Sequence, residues 1–469
     1  MTAARASRLV PLIVASALFM ENLDSSILAT ALPAIAASFG VSPLRLSLAI
    51  SSYLLSLAVF IPVSGYVADR FGARCVFRTA IVVFTLGSLC CALAPSPGWL
   101  VAARALQGAG GAMMVPVGRL VVLRRVPKHD LVAAMAWITM PALVAPIMAP
   151  LVGGLIVTYA SWRWIFLINL PIGLLGFWLA TRYVHDTPGP APPPMDFRGW
   201  LLLGTGLVAV VFGAETIGKE LLAGPMIAAI LVVGVACLLL YGRHAGRERH
   251  PVLQLALLRL GTFRASMTGG SLFRIAAGGS SFLLPLMLQV GFGLSAAQSG
   301  ALTFAGAVGA LLMRSGATRL VRRIGFRRLL VADAAISAAL LSLMLLLTPG
   351  TPRLLMLALF FVVGFCRSLM FLCVNTMGYA DVPERDMAHA TSFAGTAQQL
   401  GLTVGVAITA QVLHVSALAQ GRETLGLADF HAGWIAIALL TLSSLLVFRR
   451  LPPDAGSSVS GYGGPVRTP

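Results

Sequence analysis

Two short basic loops of similar sequence lie far apart in this chain: DRFGARC at Asp69–Cys75 and RRIGFRR at Arg322–Arg328. Each loop connects two long apolar runs of the sequence. A loop that recurs between similar pairs of apolar runs indicates that the chain contains two related halves. The apolar runs on either side of the loops define what those halves are made of.

The chain as a whole is too apolar for a soluble protein. Of its 469 residues, 58% are hydrophobic and 11% are charged, and the mean hydropathy is +0.89. About a quarter of the residues of a soluble domain are charged. About 20 mostly apolar residues are needed for a helix to cross a bilayer. Runs of this kind predict an all-α polytopic membrane protein with fourteen spans, at 9–31, 46–67, 76–94, 99–123, 131–157, 164–184, 200–217, 222–242, 265–290, 297–317, 329–347, 353–377, 388–413 and 431–448.

The basic residues test this count of spans. With the N-terminus inside the cell, 24 of the 34 Lys and Arg residues fall in cytoplasmic segments, five fall on the opposite face and five lie within spans. Cytoplasmic loops carry such an excess because of the positive-inside rule, so the net charge of +18 needs no nucleic-acid partner. Fourteen spans with both termini in the cytoplasm follow.

The predicted organisation has four parts. Residues 1–184 form an N-terminal six-helix half, and residues 263–450 form a C-terminal six-helix half. Residues 185–262 hold a Pro-rich linker, two inserted spans and a basic cytoplasmic connector, and the tail at 451–469 is expected to be disordered. Two six-helix halves related by an axis along the membrane normal are an architecture of transporters, which bind substrate between the halves.

Several motifs resemble a known family. The loop GYVADRFGAR at Gly65–Arg74 resembles the signature of the major facilitator superfamily between its second and third helices. MMVPVGRL from Met113 resembles the MdtD-type multidrug exporters of that superfamily. Four further motifs resemble signatures of the fourteen-helix drug:proton antiporter group: ENLDSSILATALP from Glu21, RALQGAGGA from Arg104, APLVGG from Ala149 and WRWIFLINLPIG from Trp162. The resemblance implies the major facilitator fold and proton-driven export of drug-like molecules by alternating access.

Two acidic residues stand out in the first span. Glu21 and Asp24 are three residues apart and share a helix face, about 18 to 22 Å along the span. Two neighbouring carboxylates in a poorly hydrated site disfavour simultaneous ionisation, so one of them can carry a proton. Arg104 in the fourth span could hydrogen-bond such a carboxylate and change partners as it titrates. A fixed ion pair that only packs the helices is the alternative.

Three further arginines are candidates for substrate contacts. If the family resemblance holds, the first, fourth, ninth and twelfth spans line a central cavity, and these spans carry Arg119, Arg274 and Arg367. The resemblance implies lipophilic and often cationic drugs, which Phe19 and Phe273 would also contact. Arg119 stands where the wider drug exporters usually have an apolar residue, and it could instead reach the headgroups. The excess of arginines suits an organic anion, such as a carboxylate metabolite or its metal chelate, as the alternative substrate.

The loop after the second span is predicted to gate access rather than bind substrate. The resemblance implies that Asp69 holds the cytoplasmic ends of the halves together in one access state. A loop carboxylate can bind a helix N-terminus or a neighbouring arginine such as Arg70 or Arg74. The other members of the predicted gating loop are Gly65 and Gly72.

The fifth span is rich in residues that disturb a helix. Pro146, Pro150, Gly153 and Gly154 remove backbone donors and side-chain bulk, which favours a kink and close helix packing. The resemblance assigns this element to antiport and to sealing against leak. Packing alone would account for the glycines equally well.

The sequence gives no sign of an enzyme, because it has no phosphate-binding loop and no metal-ligand spacing. We therefore expect no metal and no cofactor, with the proton gradient as the driving force. The expected partners are a small-molecule substrate, protons and the lipid bilayer of the bacterial cytoplasmic membrane. The chain is expected to be a monomer, with any periplasmic or outer-membrane partner unidentified. A channel or a membrane sensor is the remaining alternative class, although neither a ring of like groups nor a soluble domain is visible.

Overall fold

The computed structural model describes residues 3–125, 131–184, 194–218, 222–422 and 424–460. Within these ranges the regular structure is entirely helical. The first part of the chain forms α1 (Ala3–Phe39), α2 (Ser47–Phe60), α3 (Ser64–Phe71), α4 (Ala73–Ala92), α5 (Pro97–Arg125), α6 (Leu131–Tyr159), α7 (Trp164–Leu167), α8 (Asn169–Tyr183), α9 (Phe197–Thr216) and α10 (Gly224–Ala245). The rest forms α11 (Gly261–Leu286), α12 (Ala296–Ile324), α13 (Phe326–Ser342), α14 (Arg353–Gly378), α15 (Met387–Ala419), α16 (Leu427–Phe448) and α17 (Ser457–Ser460).

The predicted spans are confirmed. Thirteen stretches of the described chain are long and apolar enough to cross a membrane, and a shorter apolar stretch at Val144–Tyr159 in α6 is the fourteenth. Two of the spans are built from two helices each. A 3-10 turn at Ile61–Val63 joins α2 to α3, and α7 continues into α8. The first span differs most from its prediction, because its helix runs on through Pro33 to Phe39.

The two loops that carry the repeat have the same backbone geometry. Gly72 adopts a φ of 86° between α3 and α4, and Gly325 adopts a φ of 80° between α12 and α13. A residue with a Cβ is strained at such angles, so glycine is the natural residue at both turns. The sequence repeat is therefore a repeat of the turn that reverses the chain between two spans.

Each half of the repeat pairs its helices in the same way. In the N-terminal unit, Met1–Val252, α1 packs against α6 and α8, while α5 packs against α2 and α4. In the C-terminal unit, Leu253–Pro469, α11 packs against α15 and α16, while α14 packs against α12 and α13. The first span contacts the fifth and sixth, and the fourth contacts the second and third, in both units. The prediction of two related six-helix halves is confirmed by this packing.

The two inserted spans belong to the N-terminal unit. α9 and α10 pack against each other, and α9 also contacts α2. Trp200 donates a 3.0 Å hydrogen bond to the carbonyl oxygen of Val59, and Ser51 donates one to the buried carboxylate of Glu215. Polar groups in an apolar span find partners on a neighbouring helix because lipid offers none.

The linkers differ in how much of them the structure describes. Most of the Pro-rich linker, at 185–193, lies outside the described residues. The described part of the tail, to Ser460, is folded, in contrast to the expected disorder. Leu451 is buried, and Gly456 lies against the ring of Phe326. An apolar side chain just after the last span draws this segment onto the C-terminal unit.

Candidate functional site

A cluster of buried polar side chains lies inside the N-terminal unit, where α1, α4, α5 and α8 meet around Asp24. The side chain of Asp24 is fully buried, and Arg104 from α5 is 1% exposed. Ser88 from α4, Gln107 from α5 and Asn169 from α8 are also fully buried. Charges in such surroundings are stable only when other groups neutralise and hydrogen-bond them.

Asp24 accepts three hydrogen bonds. Arg104 Nη1 donates to Oδ2 at 2.5 Å, and Gln107 Nε2 and Asn169 Nδ2 donate to Oδ1 at 2.9 and 2.8 Å. Ser88 Oγ in turn accepts from the same two amide groups, at 2.7 and 3.2 Å. This arrangement satisfies an ionised carboxylate on both oxygens, and it confirms neither the coupling role nor the purely structural alternative.

Arg104 has partners besides Asp24. Its Nη1 also donates to Gln107 Oε1 at 2.6 Å, and its Nε donates to the carbonyl oxygen of Ala49 at 3.4 Å. Its guanidinium lies 4.1 Å from the centre of the Tyr53 ring, which attracts a cation. Arg104 would therefore keep hydrogen bonds if Asp24 took up a proton.

The other carboxylate of the first span lies beside the same ring. Tyr53 donates its hydroxyl to Glu21 Oε1 at 3.3 Å, and Glu21 is 6% exposed. Among the described residues, no lysine or arginine nitrogen comes within 4.0 Å of the Glu21 carboxylate. Tyr53 thus contacts Arg104 through its ring and Glu21 through its hydroxyl, so it links the two acids of the first span.

Three members of this cluster were not predicted from the sequence. Gln107 and Asn169 lie inside two of the family motifs, RALQGAGGA and WRWIFLINLPIG, and Ser88 lies in the apolar run of the third span. Amide side chains in the middle of apolar spans are a signal in themselves, because each needs a hydrogen-bond partner that lipid cannot supply. Tyr53, also missed, gives the same signal.

The structure places the remaining predicted residues of the N-terminal cavity outside this cluster. Arg119 is exposed, and Phe19 is half-buried. An exposed arginine in α5 agrees with a cavity position and with a side chain that reaches the headgroups. Substrate contact by Arg119 and Phe19 stays a prediction.

The predicted gating loop is held by contacts within the N-terminal unit. Arg124, at the end of α5, donates a hydrogen bond to Asp69, and the two side chains are 18% and 25% exposed. Arg74 donates to the carbonyl oxygen of Thr181 at 2.7 Å, while Arg70 and Gly65 are exposed. Asp69 therefore binds an arginine from the fourth span rather than Arg70 or Arg74.

The prolines of the fifth span lie inside one continuous helix, α6. A Cβ added to Gly153 would lie 2.5 Å from Ile27 Cγ1 of α1, and Gly154 is buried. The glycine face thus lets α1 and α6 approach closely, as small residues do in membrane helices. Pro146 is exposed and Pro150 is half-buried, and the role of all four residues in antiport stays a prediction.

In the C-terminal unit the predicted cavity residues differ in burial. Arg274 is fully buried, with Nη2 donating to Asn375 Oδ1 at 2.8 Å and Nη1 to the carbonyl oxygen of Ser266 at 3.4 Å. Its Nε has no hydrogen-bond partner, and no described acid lies within 4.0 Å of it. Phe273 packs in the core, and the centre of its ring lies 5.0 Å from the centre of the Phe371 ring. Arg367 is half-buried.

One group of side chains in the described residues could bring three metal ligands together. The ligand atoms of Asp196, His244 and Glu248 lie within 4.8 Å of one another. Asp196 Oδ1, however, accepts hydrogen bonds from His244 Nε2 and from the Gly199 amide, both at 2.7 Å, so it caps α9. Capping accounts for the position of Asp196 in this cluster.

The described residues form fourteen apolar spans in two similarly packed units, with a buried ion pair inside one of them, which is the architecture of a polytopic membrane transporter. The family model described as "Major Facilitator Superfamily" matches residues 14–406. The chain belongs to this superfamily, and it is therefore a transport protein rather than an enzyme. It is 38% identical over 456 residues to "Putative multidrug resistance protein MdtD" of Escherichia coli (strain K12), across 96% of this chain and 95% of that protein.

Other relatives and solved structures agree. The protein of the same name from Shigella boydii serotype 18 is also 38% identical over 96% of this chain and 95% of its own length. The crystal structure of nucleoside transporter NupG covers 94% of this chain and 98% of its own, with a TM-score of 0.65 and 15% identity. A D-xylose-proton symporter covers 97% and 99%, with a TM-score of 0.65 and 16% identity. At these identities the two structures show the fold alone.

Proposed function

We propose that this protein is a proton-coupled antiporter that exports small drug-like molecules across the bacterial cytoplasmic membrane by alternating access. The observation that carries the proposal is the buried Asp24 carboxylate, held by Arg104 and two amide groups inside the N-terminal unit. An ionisable group within a membrane span is costly and commonly marks an ion or substrate pathway. The identity to a protein named for multidrug resistance supports a drug-like substrate.

The geometry around Asp24 supports uptake and release of a proton. In the ionised state, Arg104, Gln107 and Asn169 donate to the carboxylate, as in this structure. A proton arriving from the outside would form an O–H bond on Asp24 and remove the charge that Arg104 neutralises. Arg104 would keep its hydrogen bonds to Gln107 and Ala49. The proton later leaves to cytoplasmic water, and the ion pair forms again.

A proton drives export only if the two access states differ in their affinity for it. A ligand shifts a conformational equilibrium by its differential interaction with the two states and by nothing else. The ion pair between Asp24 and Arg104 joins α1 to α5, so its loss on protonation frees two helices to move relative to each other. Binding of substrate to the deprotonated state then completes the exchange.

Glu21 is the candidate contact for a lipophilic cation. Its buried carboxylate has the Tyr53 hydroxyl as a donor and no arginine within ion-pair distance in the described part of the chain. A cationic substrate would supply the missing counter-charge. The aromatic ring of Tyr53 would add an attractive face for the same ligand.

An organic anion is the second candidate substrate, and Arg274 favours it. This guanidinium is fully buried, with one nitrogen unpartnered and no described carboxylate within 4.0 Å. An anionic substrate would neutralise it. Efflux of a cationic dye and of a carboxylate probe should be compared in the variants Glu21→Gln and Arg274→Gln, because each substrate class predicts loss in a different variant.

The coupling proposal is tested in proteoliposomes that contain the purified protein and a fluorescent substrate. With the membrane voltage clamped, we expect an imposed pH gradient to drive transport by the wild type and not by Asp24→Asn. Glu215→Gln is the matched control, since Glu215 is also a buried acid of a span but lies on α9 against Ser51. Transport that continued unchanged without a pH gradient, or full coupled activity in Asp24→Asn, would overturn the proposal.

The membrane and the orientation are tested separately. Fusions of reporters that are active only in the cytoplasm or only in the periplasm should place both termini in the cytoplasm. The reason is the basic bias of the loops, which sets orientation at insertion. A periplasmic terminus would contradict the proposed direction of export.

A further inference from the structure

The C-terminal unit contains a buried acid that the transport proposal does not use. Asp333 lies in α13 and is 4% exposed. It stands in the middle of the buried face of that helix, between Leu330 and Ala334, which are both fully buried. The helix begins at Phe326, so Asp333 lies about 10 Å along a span of the membrane. In the sequence, Asp333 lies in the eleventh predicted span, which is not one of the four spans assigned to the cavity.

Asp333 has none of the partners that hold Asp24. Its Oδ2 is buried without a hydrogen-bond partner, and no arginine or lysine nitrogen of the described residues lies within 4.0 Å of the carboxyl group. The thiol of Cys366 on α14 is the described side chain that interacts with it. A thiol is a weak donor and carries no charge to offset that of a carboxylate.

The charged groups of the surrounding helices do not supply a counter-charge either. On α13 itself, Arg328 is exposed, and Arg327 donates to the carbonyl oxygen of Arg449 at 3.1 Å. On α16, Asp429 and His431 lie near the start of the helix. The other end of α16, at Phe448, packs in the same core cluster as Phe326 at the start of α13. Asp429 and His431 are therefore at the end of α16 that is far from the start of α13. The remaining titratable groups of the packed helices are the thiols Cys366 and Cys373 on α14, the half-buried Arg367 and exposed Arg353 of α14, and the exposed Arg314, Arg319, Arg322 and Arg323 of α12.

An isolated ionised carboxylate is far more costly to bury than a neutral acid. The neutral acid leaves one hydroxyl poorly partnered, which is a smaller cost than an uncompensated charge. Asp24 meets the same requirement with an arginine and two amides, and Asp333 has no such groups. The remaining way to make this position stable is to bind a proton.

We propose that Asp333 is a second proton-binding site, built into the C-terminal unit between α13 and α14. In the conformation described here the acid is neutral. In a conformation that admits water between these two helices, the Oδ–H bond breaks, water accepts the proton as hydronium, and the carboxylate remains hydrated. A second exchangeable proton makes the proton-to-substrate ratio depend on Asp333. Only this consequence rests on the proposed antiport, whereas the proton binding stands by itself.

Infrared difference spectroscopy of the purified full-length protein in lipid tests the proton binding. We expect a protonated-carboxyl C=O band at neutral pH that disappears in Asp333→Asn and persists in the neighbouring control Ser337→Ala. Cys366→Ser keeps the size of the side chain and strengthens its hydrogen bond, so it should shift the frequency of the same band. The inference is overturned if wild type and Asp333→Asn have the same carboxyl bands between mildly acidic and alkaline pH.

The transport consequence is tested by counting protons per substrate in proteoliposomes. Asp333→Asn should lower the ratio by one while transport continues, and Ser337→Ala should leave it unchanged. An unchanged ratio in Asp333→Asn would overturn the role in coupling and leave a structural hydrogen bond. If the wild type moved substrate with no protons at all, the antiport proposal would fail, and the infrared band would still decide the proton site. If Asp333→Asn does not fold, the infrared band of Cys366→Ser tests the proton site instead. A shifted band supports the site, and an unshifted band contradicts it.

Discussion

Each of the two units buries an arginine, but the partners of the two arginines differ. In the N-terminal unit, Arg104 lies 2.5 Å from Asp24, and two amide groups complete the shell of the acid. In the C-terminal unit, Arg274 is as buried as Arg104 but has Asn375 and a backbone carbonyl instead of an acid. That unit also buries two acids: Asp429 pairs with Arg422 at 3.1 Å, whereas no described arginine or lysine nitrogen lies within 4.0 Å of Asp333.

This difference arises within one shared architecture, because the helices of both units pair in the same order. The same order of helix pairing thus accommodates two different arrangements of buried charges. We infer that the N-terminal unit holds a neutralised pair whose state changes with one proton. Arg274 and Asp333 of the C-terminal unit are the groups to which the proposals above assign an anionic substrate and a proton.

The largest expected effect is the removal of Arg104. Arg104→Met leaves Asp24 buried with amide donors alone, and breaking a buried pair in this way costs about 3 to 5 kcal/mol of stability. Thermal unfolding in lipid or detergent should show a large loss of Tm, and coupled transport should stop. The double variant with Asp24→Asn should recover much of the stability, because the two effects are coupled. Additive losses in the double variant would contradict the described ion pair.

Asn169→Ala should have the next largest effect. It removes a 2.8 Å hydrogen bond to the carboxylate, and such bonds to charged groups are worth about 1.5 to 3 kcal/mol. The same assay should show a smaller loss of Tm than in Arg104→Met. The variant should also lower coupled transport, since Asn169 donates to the carboxylate of the proposed proton site. Asn22→Ala is the matched control, because that half-buried amide donates to the backbone within α1. Equal effects of the two variants would place Asn169 outside the coupling site.

Arg274→Met tests the buried arginine of the C-terminal unit. Because no described acid depends on Arg274, its loss strands no charge, and replacing a buried charge with a well-packed apolar group is often neutral or stabilising. We expect a much smaller change in stability than for Arg104→Met, because the loss of the Asn375 hydrogen bond, worth about 1.5 to 3 kcal/mol, is offset by removing the cost of burying the guanidinium. Binding of an anionic probe should fall. A Tm loss as large as that of Arg104→Met would show that the two arginines are equivalent.

The smallest effect on stability is expected at the gating loop. Asp69→Asn weakens a partly exposed pair with Arg124, and such pairs contribute about 0.2 to 1 kcal/mol. The variant should slow turnover and raise cysteine labelling of the cytoplasmic mouth, while affinity measured on a state-locked protein stays the same. Arg182→Gln is a control, since Arg182 is exposed at the end of α8 and lies outside the predicted gating loop. Unchanged labelling together with lower affinity would assign Asp69 to substrate binding instead.

The candidate site was predictable in part. Glu21, Asp24 and Arg104 were identifiable because charges are rare in apolar spans. Gln107 and Asn169 signal only that each needs some hydrogen-bond partner, because nothing in the sequence relates their positions, or that of Ser88, to Asp24. Asp333 carries the same signal, but it lies in the eleventh span, outside the four spans that the family resemblance assigns to the cavity.

The sequence by itself determined the number of spans, their limits to within a few residues for most of them, and their grouping into two halves. The physical reason is that a backbone in lipid must satisfy its hydrogen bonds internally, so each long apolar run is a helix, and basic loops orient it. Only the tertiary structure decided which charges are paired. Asp24 meets Arg104 and Asn169 across 80 and 145 residues of sequence. Such contacts depend on the rotation and depth of each helix to within an ångström or so, which the apolar pattern does not specify.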